Sequence, residues 1–140
     1  MDMDNSPKIR HISSSHLNNH KVHIYRGIND ENGVMTWSVV RSIGSSEGNG
    51  NYQFNNPRGV AINSRAKYIA VCDAGNGRVQ LFSLSSGDFI TSFKPTLISS
   101  SSSPHFKRPM GICVDVHDHL IAVSDIQSHS ITLFLPPFFS

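Results

Sequence analysis

The sequence predicts an all-β fold made of repeated, four-stranded antiparallel sheets. The first observation behind this prediction is an internal repeat: residues 54–82 align without a gap with residues 106–134, at an offset of 52 positions, and nine of the 29 aligned pairs are identical. Such a match indicates a supersecondary unit that is used more than once. The second observation is that short apolar runs alternate with turns rich in Gly, Pro, Asn and Ser, which is typical of strands joined by tight turns.

The first copy of the unit, residues 54–93, is predicted to form a complete sheet. Pro57 and Gly59 mark a turn into the first strand, and residues 85–88 are typical of a hairpin turn before the last one. The second strand is apolar along its whole length, as expected of a sheet that is covered on both faces. The predicted strands are residues 60–62, 68–72, 78–82 and 89–93, and the residues expected to be buried are Val60, Ile62, Ile69, Val71, Val79 and Leu81.

The segments on either side are assigned by comparison with this unit. Residues 106–134 repeat its first three strands, and residues 19–25 align with residues 76–82 at an offset of 57 positions. The polar N-terminal stretch is predicted to be flexible, and two prolines after residue 134 are expected to stop strand pairing. The predicted organisation is a flexible stretch at 1–15, the last part of a sheet at 16–44, a loop at 45–53, the complete sheet at 54–93, a Ser-rich loop at 94–105, an incomplete sheet at 106–134 and a tail at 135–140.

The repeated unit resembles a known family. The segment Phe-x-x-Pro-x-Gly-Val-Ala-Ile from residue 54, followed by Ile-Ala-Val-x-Asp-x-x-Asn-x-Arg-Val-Gln-Leu-Phe from residue 69, is similar to the NHL repeat. Residues 43–54 resemble the loop that precedes such repeats in TRIM-NHL and related RING-type ubiquitin ligases. The resemblance implies a β-propeller, six-bladed in its complete form, in which each repeat forms one blade. The second copy departs from the pattern, because Ser128 and Ser130 stand where the motif has Asn76 and Arg78.

The number of blades limits what the chain can do. It carries about two and a half blades, whereas a closed propeller needs roughly four to eight. We therefore expect a propeller fragment whose uncovered faces cause the isolated chain to self-associate. The family resemblance implies a non-catalytic binding module that recognises a protein substrate or RNA for a TRIM or other RING-type ubiquitin ligase. Ligase activity would then reside in a RING domain, which this sequence does not contain.

Composition indicates the cellular setting and the class of partner. Cys72 and Cys113 have no paired spacing, and the sequence has neither a signal peptide nor an apolar run long enough to span a membrane. This favours a cytoplasmic location without membrane contact. Charge is nearly balanced, with 12 basic and 10 acidic residues, so a protein partner is favoured over RNA. No cofactor is expected.

Basic residues near the turns are the candidates for partner binding, and turn residues of the motif are assigned structural roles. Asp73 and Asp125 each follow a buried strand, where a carboxylate can accept hydrogen bonds from the N–H groups of the turn, and Arg78 could pair with Asp73. Asn76 and Gly77 are expected to have positive φ. The partner-binding candidates are Lys21, Arg58, Arg78, Lys107 and Arg108.

An enzyme is the alternative interpretation. The eight histidines raise the possibility of a zinc-dependent lyase on an NHL-like propeller, and calcium-dependent hydrolases also use six-bladed propellers. Such sites gather ligands from several blades around a central channel, and this chain has too few blades. His20 and His23 would lie on opposite faces of a strand, so they could not hold one metal ion together. No catalytic residue and no metal ligand are therefore predicted.

Overall fold

The computed structural model describes residues 9–16, 19–94, 106–115, 117 and 119–136, and these residues form three antiparallel sheets. The first sheet has strands β1 (Ile9–His16), β2 (Lys21–Asn29) and β3 (Met35–Ile43), in that order. The middle sheet has strands β4 (Pro57–Asn63), β5 (Tyr68–Asp73), β6 (Arg78–Ser83) and β7 (Phe89–Phe93), also in chain order. The third sheet has strands β8 (Pro109–Val114), β9 (Ile121–Asp125) and β10 (Ser130–Phe134), with β9 in the centre. The predicted all-β fold, with its four-stranded repeat at 54–93, is confirmed.

The strands of the first sheet are equivalent to the second, third and fourth strands of the middle sheet. Lys21 pairs with His16 across β1 and β2, just as Arg78 pairs with Asp73 across β5 and β6. Both sheets also have a register shift at the same place, which confirms the alignment at an offset of 57 positions. These shifts lie between Ile24 and Tyr25 and between Leu81 and Phe82.

Strand β1 differs from the prediction that residues 1–15 are flexible. Residues Ile9–His16 pair with β2 along their whole length, and β1 also lies against β4. The polar composition of residues 1–15 indicated flexibility, but backbone pairing does not depend on apolar side chains. Without β1, one edge of β2 would expose a row of unpaired N–H and C=O groups. Residues 1–8, 95–105 and 137–140 of the predicted terminal and Ser-rich segments lie outside the described residues.

Two apolar clusters hold the sheets against one another. Because successive side chains of a strand point to opposite faces, alternate residues of β5 enter different clusters. One cluster joins the first and middle sheets and contains Val22, Ile24, Ile43, Phe54, Ile69, Val71, Phe82 and Leu84. The other joins the middle and third sheets and contains Tyr68, Ala70, Cys72, Val79, Leu81, Phe106, Ile121 and Val123. The middle sheet is thus covered on both faces, as its apolar second strand predicted.

The predicted core residues are largely buried. Ile69, Val71, Val79 and Leu81 have no exposed surface, whereas Val60 and Ile62 are partly buried and pack against the first cluster. The two cysteines are free and differ in exposure. Burial raises the pKa of the Cys72 thiol to about 12, while Cys113 is exposed on the third sheet.

Candidate partner-binding rim

One end of the three sheets carries the partner-binding candidates and the turn residues that the sequence indicated. In the middle sheet, Pro57 and Arg78 both pair with Asp73, so the start of β4, the end of β5 and the start of β6 lie together. Pro109 pairs with Asp125 in the same way in the third sheet. We call this end of the sheets the motif rim, which comprises residues 19–21, 44–58, 73–78, 106–109 and 125–130.

A buried ion pair supports the motif rim. Arg78 Nε donates to Asp73 Oδ2 at 2.7 Å, and both side chains are almost fully buried. The other Arg78 nitrogens donate to carbonyl oxygens of the preceding loop: Nη1 to Asn49 at 2.8 Å, and Nη2 to Gly50 at 2.8 Å and to Gln53 at 3.0 Å. All three guanidinium nitrogens are therefore engaged within the protein.

This geometry corrects the assignment of Arg78 as a partner-binding residue. Arg78 is only 8% exposed, so a phosphate or a partner carboxylate could reach it only after the loop at 45–53 had moved away. Its role is to hold that loop against the middle sheet. The sequence had indicated the pairing with Asp73, which is confirmed, but it gave no sign of the carbonyl partners.

Asp73 has a wider set of hydrogen-bond donors than the sequence indicated. Its Oδ1 accepts the Asn55 backbone N–H at 2.8 Å, and its Oδ2 accepts the Asn76 side-chain amide at 2.9 Å. The prediction that Asp73 accepts N–H groups of its own turn is wrong, because the backbone donor lies in the preceding loop. The Asn76 amide also donates to the Gly48 carbonyl at 2.8 Å. The motif residues thus tie the loop and the turn into one unit.

Asp125 occupies the equivalent place in the third sheet but has different donors. It accepts four backbone N–H groups, from Lys107 at 2.7 Å, Arg108 at 3.1 Å, Gln127 at 3.1 Å and Ser128 at 3.2 Å. Burial acts to raise the pKa of Asp125, but these hydrogen bonds outweigh it and leave the pKa below its ordinary value. Here the prediction that the turn N–H groups satisfy the carboxylate is confirmed.

The turn after the second strand has one left-handed position in every sheet. Gly77 has a φ of 59°, as predicted, but Asn76 ends a short 3₁₀ turn, Ala74–Asn76, and its predicted positive φ is wrong. His20 and His129 stand at the position of Gly77 in the other two sheets, and each has a φ of 51°. The sequence analysis did not predict a positive φ for either histidine, although the offsets of 57 and 52 positions align them with Gly77.

The remaining basic candidates form the accessible charge of the motif rim. Lys107 and Arg108 are exposed, and Lys21 and Arg58 are half-buried. The exposed acidic side chain in the described part of this rim is Glu47, whose Oε2 lies 3.7 Å from His20 Nε2. Since Asp73 and Asp125 are buried, the accessible charge of the motif rim is mainly positive.

A second group of basic side chains lies away from the motif rim, between the first and middle sheets. A groove of about 310 Å³ there is lined in part by His11, Arg26, Arg41 and Lys67. Burial, together with the nearby charges of Arg26 and Lys67, lowers the pKa of His11. Positive charge is therefore not confined to the motif rim. Variants in this groove are the matched controls for charge changes at the motif rim.

The stacked sheets are similar to solved β-propellers. The chain matches the β-propeller domain of Cps50 (Swd1) from Myceliophteria thermophila with a TM-score of 0.58 and 11% identity, over 83% of this chain and 36% of that one. The fold is that of a β-propeller fragment. The middle sheet is one complete four-stranded blade, and the first and third sheets each supply three strands of a blade.

Two further solved structures show the same likeness of fold. An auxiliary nutrient binding protein from Bacteroides thetaiotaomicron matches with a TM-score of 0.52 and 14% identity, over 88% of this chain and 37% of that one. Hydrazine synthase from Kuenenia stuttgartiensis matches with a TM-score of 0.55 and 10% identity, over 93% of this chain and 46% of that one. The chain thus spans less than half the length of each of these proteins.

Other comparisons give no family. No known protein-family model matches the chain. No curated protein matches it significantly. Among the described residues, no three His, Cys, Asp or Glu side chains are grouped as a metal site would require. The described part of the chain also has no helix of the length and apolarity needed to cross a membrane.

Proposed function

We propose that the chain is a non-catalytic binding module of an NHL-type propeller that recognises a protein partner with its motif rim. The observation that carries this proposal is the anchoring of the loop at 45–53 by Arg78, which donates to three of its carbonyl groups. Gln80 Nε2 adds a hydrogen bond to the Gln53 carbonyl at 3.0 Å. A loop held in one conformation loses less entropy on binding, which is the general advantage of a preorganised surface.

The charge of the motif rim favours an acidic segment of the partner. Lys21, Arg58, Lys107 and Arg108 supply positive charge there, opposed by the exposed carboxylate of Glu47. Complementary charge across an interface steers association and suppresses wrong partners. Protein is favoured over RNA as the main partner because the chain as a whole is close to neutral.

The sequence motif supports a place for this module in a ubiquitination pathway of the cytoplasm. In that setting the propeller would select the substrate, and a RING domain outside these residues would direct ubiquitin transfer. The support for this part of the proposal is the resemblance of residues 43–93 to TRIM-NHL proteins.

Charge reversal at the motif rim tests the protein-binding proposal. Peptides selected from a random displayed library on the purified chain are expected to be acidic. The variant Lys107→Glu/Arg108→Glu should bind the selected peptides at least tenfold more weakly, a loss of about 1.4 kcal/mol. The matched variant Arg26→Glu/Lys67→Glu changes the same charge at the second groove and should retain binding. Equal losses in the two variants, or no loss in either, would contradict a site at the motif rim.

RNA is the second candidate partner, and the basic residues on one rim are the observation that favours it. Binding of polyuridine RNA and of RNAs of other sequences, measured by fluorescence anisotropy over a range of salt concentrations, tests this candidate. Arg58→Ala and Arg108→Ala should weaken binding by a similar factor for different RNA sequences, and each should reduce the salt slope by about one. A folded wild-type chain without salt-dependent RNA binding would eliminate RNA.

A further inference from the structure

The outer face of the third sheet carries apolar residues at the positions whose equivalents in the middle sheet are buried. Val79 and Leu81 of β6 have no exposed surface, because the third sheet covers them. The equivalent residues of β10, Ile131 and Leu133, are 73% and 64% exposed. A shallow groove of about 490 Å³ lies beside them and includes Cys113 and Ala122 in its lining. We call Cys113, Ala122, Ile131, Leu133 and Leu135 the third-sheet face.

The outer face of the first sheet corresponds to the opposite face of the middle sheet, the one that packs against the first sheet. Tyr25 pairs with Val39 across β2 and β3, as Phe82 pairs with Phe89 in the middle sheet. Phe82 is fully buried against the first sheet, whereas its equivalent Tyr25 is only half-buried. Val39, the equivalent of Phe89, is 53% exposed. Trp37 extends the same face and is 41% exposed. We call Tyr25, Trp37 and Val39 the first-sheet face.

We propose that the third-sheet face of one copy docks on the first-sheet face of a second copy, head to tail. Both contacts between sheets within the chain join these two types of face, so a second copy would continue an arrangement that the protein already uses. Two copies would bring together six sheets, within the roughly four to eight of closed propellers. A head-to-tail contact of this kind closes into a ring when the rotation between copies allows it.

Sedimentation velocity of two single variants tests the head-to-tail contact. Leu133→Asp places a charge on the third-sheet face, and Val39→Asp places one on the first-sheet face; both positions are exposed, so the variants should fold. Each variant alone should associate at least tenfold more weakly than wild type. An equimolar mixture should form a dimer again, because each contributes one intact face. Ile90→Asp, at an exposed position of β7 that belongs to neither face, should associate like wild type.

Labelling of Cys113 gives an independent readout. Iodoacetamide modification of Cys113 should slow as the wild-type concentration rises, but not in Leu133→Asp. Circular dichroism confirms the fold of each variant, and Ile131→Asp repeats the test at a second position. The proposal is overturned if wild type stays monomeric, if Val39→Asp alone associates like wild type, if the mixture stays monomeric, or if Cys113 labelling is independent of concentration in a sample that forms dimers.

Discussion

Replacing Arg78 with Ala is expected to lower the free energy of unfolding by about 3–5 kcal/mol, because it leaves the buried carboxylate of Asp73 without its charged partner. It also removes three hydrogen bonds to the loop at 45–53. The loop should therefore become mobile, and its amides should exchange faster than those of the strands beneath it. Urea denaturation and hydrogen exchange measure the two effects separately.

The matched control for this substitution is Arg108→Ala on the same rim. Arg108 is exposed, and it contributes to the turn through its backbone, whose N–H donates to Asp125 and whose carbonyl accepts the Ile126 N–H. Its loss should change stability by no more than about 0.5 kcal/mol. Both variants should be compared at a concentration where the chain is monomeric, because association adds to apparent stability. If Arg78→Ala cost no more than Arg108→Ala, the buried pair would not be holding the loop.

A double-mutant cycle separates the ion pair from the loop contacts. Asp73→Ala should be strongly destabilising alone, since it leaves the Arg78 guanidinium buried without its counter-charge. The double variant should cost less than the sum of the two single variants, because neither charge then remains unpaired. Additive losses would mean that the loop carbonyls, rather than the carboxylate, account for the burial of Arg78.

The strands could be predicted from the sequence where turn residues mark both of their ends. Residues 68–72 and 78–82 form strands as predicted, because Asp73 and Gly77 mark the turn between them. Strand β1 could not be predicted, because its serines provide no apolar alternation. Residues 9–16 form a strand because they pair with the backbone edge of β2, and that edge exists only in the folded sheet.

The motif rim could be predicted only in part, for a similar reason. Pairing of Asp73 with Arg78 follows from cross-strand register and opposite charge. The carbonyl groups that surround Arg78 carry no sequence signal, since every residue has one. A guanidinium bound by backbone carbonyls and one that faces solvent therefore look alike in a sequence. Arg78 was assigned to the binding surface for this reason, whereas Arg108 is indeed exposed.

Replacing Gly59 with Ala is expected to destabilise the protein by about 1–3 kcal/mol, as overpacking at a close contact does. A Cβ at this position would lie 2.5 Å from the Met110 carbonyl oxygen and 3.0 Å from the Ile112 nitrogen. Both atoms belong to the backbone of β8, so the third sheet would have to move as a unit. The Gly of the repeat motif is thus required because it lets the first strands of neighbouring sheets approach closely.

Gly111 is the equivalent residue in the third sheet and provides the matched control. A Cβ there would lie 2.8 Å from Ser124 Oγ, the end of a side chain that can rotate. Gly111→Ala should therefore cost less than Gly59→Ala, even though it disturbs the hydrogen bond from the Gly111 N–H to Ser124 Oγ. Urea denaturation compares the two variants.

Labelling of Cys72 gives a second readout, because its Sγ lies 3.8 Å from the Gly111 carbonyl oxygen, where the two sheets meet. Gly59→Ala should make Cys72 more reactive, and Gly111→Ala should not. Equal effects would show that close contact with β8 is not the reason why the motif requires glycine at position 59.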